Sequence, residues 1–368
     1  MEFTCNTKPL VDALELGIID SNVTDFNQRS KIALLTFTED YLKVNVESTA
    51  IKTEVEIIGR GTYGDTYSIF VNCATFKKLL RTIDSGTISF KSIENGIVIK
   101  ADQSQFTLPS MLEAQDAELT APVGITEDAE EIPYNKDNWR YIKANQLYAV
   151  ATSYVHPVFT YVWVGDSGDV LTGDIDVSLF TASDGNSLGT TCLLSISIIN
   201  LLTSLPDGTK LYKVGSDFVA VVTADEFTYI SQITPTYETN ETVGNYNSNT
   251  ILGVMSHPVE YVQVPSHVIT KYLNQAELLA TSKTPVVVFD VSGDDVSIYN
   301  DTINCSISAV ANGSSKYHLT FLLSNLRKVL SNYGETIVSI GSLTNDDEIT
   351  GIVIWNDTLT TAIAGVEQ

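Results

Sequence analysis

Basic residues are scarce in this chain of 368 residues, which has 21 Lys and Arg against 45 Asp and Glu and a formal net charge of −24. So acidic a chain cannot adhere to nucleic acid over its whole surface, because the phosphates repel it. A local basic surface remains compatible with this balance. Any contact with nucleic acid must therefore be confined to a few clustered cations.

Cysteine is also scarce, and the four thiols lie far apart without a C-x-x-C pair: Cys5, Cys73, Cys192 and Cys305. A zinc site or a disulfide framework would cluster them. We therefore expect reduced thiols that pack as small apolar groups. The four histidines show no H-x-x-x-H spacing: His156, His257, His267 and His318. Neither a metal nor another cofactor is expected.

Long apolar runs are missing, since no segment approaches the roughly 20 residues that a membrane span needs. The first residues, MEFTCNTKPLVDALE, lack the basic and apolar regions of a signal peptide. We therefore expect a soluble protein with no membrane partner. Its expected location is the cytoplasm.

Three segments of the chain repeat one pattern, and the length suggests two or three domains. The segments are FKKLLRTIDSGTISF (76–90), IINLLTSLPDGTKLYKV (198–214) and LRKVLSNYGETIVSI (326–340). Each predicts a short amphipathic helix, a stop that contains Gly or Asp, and an alternating strand. Tyr, Thr, Val and Ile are plentiful and favour sheet around these helices.

The segments upstream of these helices repeat as well. Alternation about an acidic or Gly turn predicts hairpins over 33–46, 159–175 and 286–300. A helix is predicted before each hairpin, over 7–19, 144–155 and 266–280, and polar linkers over 129–138 and 234–250. The sequence therefore predicts an α+β fold of three repeated domains, 1–122, 123–240 and 241–368, each with two helices packed on antiparallel sheets.

Positive charge recurs on the second helix of two repeats. At 100° per residue, Lys77, Lys78 and Arg81 lie opposite the predicted apolar face. That face is formed by Phe76, Leu79, Leu80 and Ile83. In the third repeat Arg327 and Lys328 point away from the corresponding apolar face, which is formed by Leu322, Leu326, Val329 and Leu330. A solvated helix face explains one such stripe, but the recurrence favours a shared basic surface.

Four short stretches carry a resemblance to a known family. They are ASDGNSLG (182–189), ITPTY (233–237), FTLPSM (106–111) and the end of the chain, TTAIAGVEQ. With the threefold repeat, they resemble the bacterial-type DNA polymerase sliding clamp, the beta subunit family of DNA polymerase III. The resemblance implies a closed ring, with two chains joined head to tail around duplex DNA. It further implies a non-enzymatic processivity factor, with helices that line the hole.

The resemblance also implies two sets of site residues. Sequence-independent contact with double-stranded DNA would involve Arg29, Lys77, Lys78, Arg81, Lys210, Lys271, Arg327 and Lys328. DNA polymerase and the clamp loader would dock short peptides in an apolar pocket. The pocket would contain Ser183, Gly185, Asn186, Leu188, Pro235, Leu322, Asn325, Ala364, Gly365 and Val366.

Two motifs suggest enzymes, and neither has the expected context. GRGTYG (59–64) fits G-x-G-x-x-G, but a predicted strand follows where a nucleotide site needs a helix. GDSGD (165–169) is typical of serine proteases, yet the repeat places Ser167 at a solvated hairpin tip. The alternatives to a clamp are a β-rich viral structural or assembly protein, and a hydrolase that uses Ser167.

Overall fold

The computed structural model describes residues 1–16, 31–62, 64, 66–111, 119–153, 155–185, 187–237, 244–345 and 348–366. The chain forms two compact units. Unit 1 combines Met1–Asp137 with Ser197–Pro235, and unit 2 combines Asn138–Ile196 with Thr236–Gln368. The three-domain division of the chain stays a prediction.

Seven α-helices lie in the described ranges. They are α1 (Thr7–Glu15), α2 (Cys73–Leu80), α3 (Lys136–Asn145), α4 (Ile196–Ser204), α5 (Ser248–Val254), α6 (Ser266–Leu279) and α7 (Leu323–Ser331). Three 3₁₀ turns cover Leu147–Ala149, Pro157–Thr160 and Ile175–Val177. None of the helices in these ranges is long and apolar enough to cross a membrane.

Twelve strands of unit 1 form one antiparallel sheet. They are β1 (Glu2–Asn6), β2 (Ile32–Phe37), β3 (Tyr41–Glu47), β4 (Ile51–Gly61), β5 (Tyr67–Asn72), β6 (Thr87–Ile93), β7 (Gly96–Ala101), β8 (Ser104–Pro109), β9 (Glu130–Ile132), β14 (Lys210–Val214), β15 (Asp217–Thr223) and β16 (Phe227–Ile233). The main path runs β8-β7-β6-β1-β4-β16-β15-β14-β9, and β3, β2 and β5 branch from β4. The pairing of β4 with β16 therefore continues one sheet from the first third of the chain into the second.

Unit 2 contains two antiparallel sheets. Its strands are β10 (Val162–Val164), β11 (Asp169–Asp174), β12 (Leu179–Asp184), β13 (Cys192–Leu194), β17 (Tyr261–Pro265), β18 (Val286–Ser292), β19 (Asp295–Tyr299), β20 (Asn304–Ser308), β21 (Val310–Asn312), β22 (Lys316–Leu322), β23 (Ile337–Asn345), β24 (Glu348–Trp355) and β25 (Thr360–Ala364). One sheet runs β13-β10-β11-β12-β25-β24-β23-β17-β21, and the other β20-β19-β18-β22.

The observed order of elements confirms the predicted α+β class. The three predicted hairpins form as β2–β3, β10–β11 and β18–β19, all antiparallel. The three predicted second helices form as α2, α4 and α7, each followed by a strand. Alternation with period two predicted β18–β19 because each of these strands buries one face, whereas every residue of β10 is buried.

The helix predicted over 144–155 is wrong, since α3 begins at Lys136 and ends at Asn145. The linker predicted over 129–138 is also wrong, because this segment contains β9 and the first residues of α3. The helix buries only Trp139 and Ile142, so its apolar periodicity is weak. The apolar residues after it belong to 3₁₀ turns and extended chain. The predicted linker over 234–250 contains the start of α5, and its residues 238–243 lie outside the described ranges.

Apolar packing fixes the helices on the sheets of each unit. In unit 1 the ring of Phe37 packs against Phe3 and Phe90, with centroids 5.6 and 5.3 Å apart. In unit 2 one core joins α6 and α7 to strands of both sheets, through side chains such as Leu273 and Leu326. Cys5, Cys73 and Cys192 are buried, as predicted, and Cys305 is half-buried.

Candidate nucleic-acid interface

Helix α2 presents its basic residues beside α1 in unit 1. The helix begins at Cys73 because the side chain of Asn72 accepts a hydrogen bond from the Thr75 amide at 2.9 Å, which caps its first turn. Lys78 and Arg81 are exposed near its other end. Cations suit this end of a helix because the carbonyl groups there carry partial negative charge.

The carboxylate of Glu15, the last residue of α1, holds Arg81. Arg81 Nη2 donates to Glu15 Oε2 at 2.6 Å, and Arg81 Nε donates to Oε1. This contact is bidentate and charge-assisted, the strongest geometry for such a pair. Hydrogen bonding from Arg81 lowers the pKa of the Glu15 carboxyl below its ordinary value, so the carboxylate stays ionised.

The predicted outward orientation of Lys77 is wrong, since the residue is only 8% exposed. The buried side of α2 contains Cys73, Phe76 and Leu80 as well as Lys77. On a helical wheel Lys77 lies about 60° from Leu80, whereas Lys78 lies about 160° from it. Packing against α1 covers this flank, and Lys77 Nζ lies 3.9 Å from Glu15. Lys77 therefore belongs to the helix–helix contact more than to the exposed surface.

Helices α6 and α7 form the corresponding pair in unit 2. Arg327 Nε lies 3.0 Å from the carboxylate of Glu277 on α6, and Arg327 Nη1 donates to Asn274 at 3.5 Å. Lys328 is exposed, and its ammonium donates to the backbone carbonyl of Tyr148 at 3.1 Å and lies 5.5 Å from the centre of that ring. Lys271 is exposed on α6, in an open groove between the two helices. The three predicted cations of this unit thus lie on one helix pair.

Helix α3 carries a basic stripe that the sequence analysis missed. Lys136, Arg140 and Lys143 follow one another at spacings of four and three residues, which places them on one helix face. Arg140 and Lys143 are exposed, and Lys136 is half-buried. Within unit 2, Lys328 reaches Tyr148, which lies just beyond the end of α3. The i, i+4, i+7 spacing would have revealed the stripe had the helix been placed correctly.

The other second helix and the remaining predicted cations contribute less. Helix α4 has no basic residue and buries four apolar side chains: Ile198, Ile199, Leu201 and Leu202. Lys210 is exposed at the start of β14 in unit 1. Arg29 lies outside the described residues. The described cations can form ion pairs with phosphates, and Lys and Arg on helix faces read no base sequence unless they enter a groove.

The described pocket residues that belong to unit 2 fall into two groups along β12. At one end, Ser183 and Leu188 are buried, and the Gly185 carbonyl accepts a hydrogen bond from Asn138 of α3 at 2.7 Å. Asn186 lies outside the described residues. Pro235 is buried at the end of unit 1. Because the side chains of Ser183 and Leu188 are buried at this end of β12, they support the surface from below and are not exposed to a peptide.

The second group lies at the other end of β12. The Ala364 amide donates to Ser178 just before β12, and the Val366 amide donates to Thr320 of β22 at 2.8 Å. Two half-buried residues follow Thr320, Leu322 at the end of β22 and Asn325 in α7, and Gly365 lies between the two bonded amides. Five residues of β12 separate the groups, about 17 Å. That both groups belong to one peptide pocket stays a prediction.

An aromatic cluster that the sequence analysis did not single out lies on the same sheet of unit 2. Tyr246 is fully buried, with its ring 5.2 Å from Phe159 and 6.5 Å from Trp163. Phe159 in turn lies 5.9 Å from Phe180 of β12. Side chains of α5, including Ile251, pack on the same cluster. These aromatic residues lie far apart in the sequence, so no local sequence pattern predicts that they pack together.

Neither enzyme motif acquires the surroundings that catalysis needs. Ser167 lies in the exposed turn between β10 and β11, where its hydroxyl donates to Asp169 at 2.5 Å. His156 instead lies 3.8 Å from Asp176. The segment after GRGTYG forms β5, as predicted, rather than a helix. In the described ranges no group of three metal-ligating side chains occurs.

Comparison with known proteins yields agreement in fold but not in sequence. No protein-family model matches the chain, and no curated protein matches its sequence. Among solved structures, the DNA polymerase sliding clamp of Caulobacter crescentus matches at a TM-score of 0.76 and 13% identity, over all of both chains. That of Bacillus subtilis matches at 0.74 and 14%, over 100% of this chain and 99% of the other. The DNA polymerase III beta subunit of Thermotoga maritima matches at 0.76 and 10%, with the same coverage.

Each match extends over the full length of the chain, so the likeness concerns the whole architecture rather than one repeat. The predicted resemblance is confirmed for the fold. The sequence identity of 10–14% explains why only short stretches of the chain show this resemblance. The chain has the fold of bacterial DNA polymerase III beta subunits.

Proposed function

We propose that the protein is a DNA sliding clamp, a non-catalytic ring that encircles duplex DNA and tethers a replicative polymerase to it. The observation that carries the proposal is the full-length agreement in fold with proteins named as DNA polymerase sliding clamps. Basic residues on the exposed sides of α2, α3 and α7 support it, because the chain is otherwise strongly acidic. No observation favours a viral structural role.

The proposed contact with DNA is weak and independent of base sequence. A ring that slides must not grip one site, and ion pairs to phosphates supply affinity without base recognition. The contacting cations are Lys78, Arg81, Arg140, Lys143, Lys210, Lys271, Arg327 and Lys328. Lys77 contributes charge from a buried position. The acidic remainder of the surface repels DNA from elsewhere on the molecule.

The proposed ring consists of two chains, each with three repeats over 1–122, 123–240 and 241–368. Open strand edges are available for head-to-tail closure. Among the described strands, β8 pairs only with β7 and β20 only with β19, and β5, β9, β21 and β22 also pair with one strand each. Unpaired edges of this kind accept a further strand. Leu278 and Leu279, at the end of α6, are 86% and 56% exposed, which supplies an apolar surface for a second copy.

The proposed partners of the ring are a DNA polymerase and a clamp loader, which dock short peptides along β12. The half-buried end of the chain, Ala364, Gly365 and Val366, offers an apolar surface beside the polar side chain of Asn325. Shallow apolar grooves with a few polar groups suit such peptide anchors.

Electron microscopy of the purified protein, combined with light scattering, tests the proposed function. The expected result is a homogeneous dimeric particle with a central hole that admits duplex DNA. Compact particles without a hole would contradict the proposal. Open filaments or large shells would favour the viral structural alternative instead.

A further inference from the structure

An acid–arginine contact between two helices occurs in both units, as a bidentate hydrogen-bonded pair in unit 1 and as a single ion contact in unit 2. In unit 1 the last residue of α1, Glu15, holds Arg81 at the end of α2. In unit 2 a residue near the end of α6, Glu277, pairs with Arg327 of α7 at 3.0 Å. In each case an acid on the first helix neutralises an arginine of the second helix. The basic surface therefore carries its own counter-charges.

We infer that Glu15 and Glu277 set the strength of DNA contact, by competing with phosphates for Arg81 and Arg327. The inference rests on the proposed clamp function. A guanidinium forms the same bidentate geometry with a carboxylate as with a phosphate, so only one of the two can occupy it fully. A phosphate that approaches Arg81 must displace the Glu15 carboxylate or share its donors.

The exposure of the four side chains makes this exchange possible. The side chains of Glu15 and Arg81 are 39% and 47% exposed, and those of Glu277 and Arg327 are 42% and 36% exposed. Ion pairs at such exposure are weak, because water and salt screen them. A phosphate can therefore replace the carboxylate, but the exchange lowers its affinity for the arginine.

Glu15 is paired more strongly than Glu277, because it accepts the bidentate contact from Arg81 and also lies 3.9 Å from Lys77 Nζ. Hydrogen bonding from Arg81 also keeps the pKa of Glu15 low, so the carboxylate competes at every pH above the acidic range. Glu277 faces Arg327 with Asn274 beside it. Removal of the Glu15 charge should therefore have the larger effect.

The test measures equilibrium binding of the full chain to a short linear duplex by fluorescence anisotropy, over a series of NaCl concentrations. The variants are Glu15→Gln, Glu277→Gln and the two combined. Each single substitution is expected to tighten binding about three- to tenfold at low salt and to steepen the log–log salt dependence by up to about 0.9, the value of one phosphate contact. The double variant is expected to show both effects, because the pairs lie in different units.

Two matched controls separate this competition from a general change of charge. Glu2→Gln removes a carboxylate that pairs with Lys91 at 2.8 Å on β1 and β6, and Asp290→Asn removes one on β18. Both change the net charge by the same single unit as the test variants. Their binding is expected to stay within about twofold of the parent chain.

Several outcomes would overturn the inference while leaving the clamp proposal intact. Equal tightening in all variants would indicate a general field, and unchanged binding in Glu15→Gln and Glu277→Gln would indicate no competition. Weaker binding in these variants would mean that the carboxylates orient the arginines for phosphate. If neither the parent chain nor any variant binds duplex DNA at low salt, the proposed function itself fails.

Discussion

Arg81 donates two hydrogen bonds to Glu15 and so joins α2 to α1, as Arg327 joins α7 to α6 by its 3.0 Å contact with Glu277. The two contacts link the helices of each pair, while Lys78, Lys271 and Lys328 stay exposed. The exposed cations, rather than the paired ones, are therefore the first targets for tests of DNA contact.

Reversal of charge at Lys78 or Lys143 is expected to weaken binding to linear duplex DNA. Each residue is exposed, one on α2 and one on α3, and each variant replaces a phosphate attraction with a repulsion. Lys78→Glu and Lys143→Glu should each lower the slope of the log–log salt dependence by about 0.9. Lys91→Glu, on strand β6 rather than on a helix, serves as the control. Equal loss in all three would show that only net charge matters.

Lys77→Glu and Lys78→Glu are expected to differ sharply in stability although they adjoin one another. Lys77 is 8% exposed and lies 3.9 Å from Glu15, so a carboxylate there would be buried against another carboxylate. The free energy of unfolding should fall by about 3 kcal/mol. For the exposed Lys78 it should change by no more than about 0.5 kcal/mol. Urea denaturation measures both, and equal midpoints would disprove the burial of Lys77.

Leu278→Glu is expected to yield a folded monomer. A side chain that is 86% exposed adds little to the fold, whereas a charge in an apolar interface between copies is costly. The dissociation constant of the dimer should rise about 30-fold or more. Analytical ultracentrifugation measures this, with Val259→Glu, at 88% exposure in the same unit, as the control. A variant that dimerises like the parent chain would remove α6 from the interface.

Stability is expected to fall below pH 6.5 partly through His257. Its ring stacks on Trp355 at 4.6 Å, and partial burial lowers the pKa of His257 below its ordinary value of 6.5. As pH falls below that value the unfolded chain takes up the proton first, which favours unfolding until the folded pKa is also passed. Between pH 8 and pH 5 the urea midpoint should therefore fall less in His257→Gln than in the parent chain. His318→Gln, which changes another histidine of the same unit, serves as the control.

Thiol labelling is expected to distinguish Cys305 from the other three cysteines. Burial raises the pKa of the Cys5 thiol to about 12, and Cys73 and Cys192 are buried. Cys305 is half-buried, and its thiol donates to the Ile298 carbonyl at 3.2 Å. At pH 8 iodoacetamide should add one group to the native protein, slowly and at Cys305, and four after unfolding in urea. Mass spectrometry of the native protein would refute this if Cys5 were modified.

The sequence predicted those parts of the fold in which one element carries its own signal. The strands of β18–β19 alternate between buried and less buried residues, and the helix predicted over 266–280 is observed as α6, Ser266–Leu279. Helix α3 escaped because only Trp139 and Ile142 are buried, which is too few to set a period. Lys77 was misplaced for a different reason. Its burial depends on α1, a helix about 60 residues earlier, and no local pattern records that contact.

The seven residue pairs between β4 and β16 limit where the chain can be cut into fragments that fold. The partners lie near residues 51–57 and 227–233, so a fragment that stops at residue 122 would carry β4 with one bare flank. Bare flanks recruit other chains and lead to aggregation. The repeats therefore cannot be exchanged one at a time. Recombination would conserve the fold only if residues 51–57 and 227–233 were exchanged together.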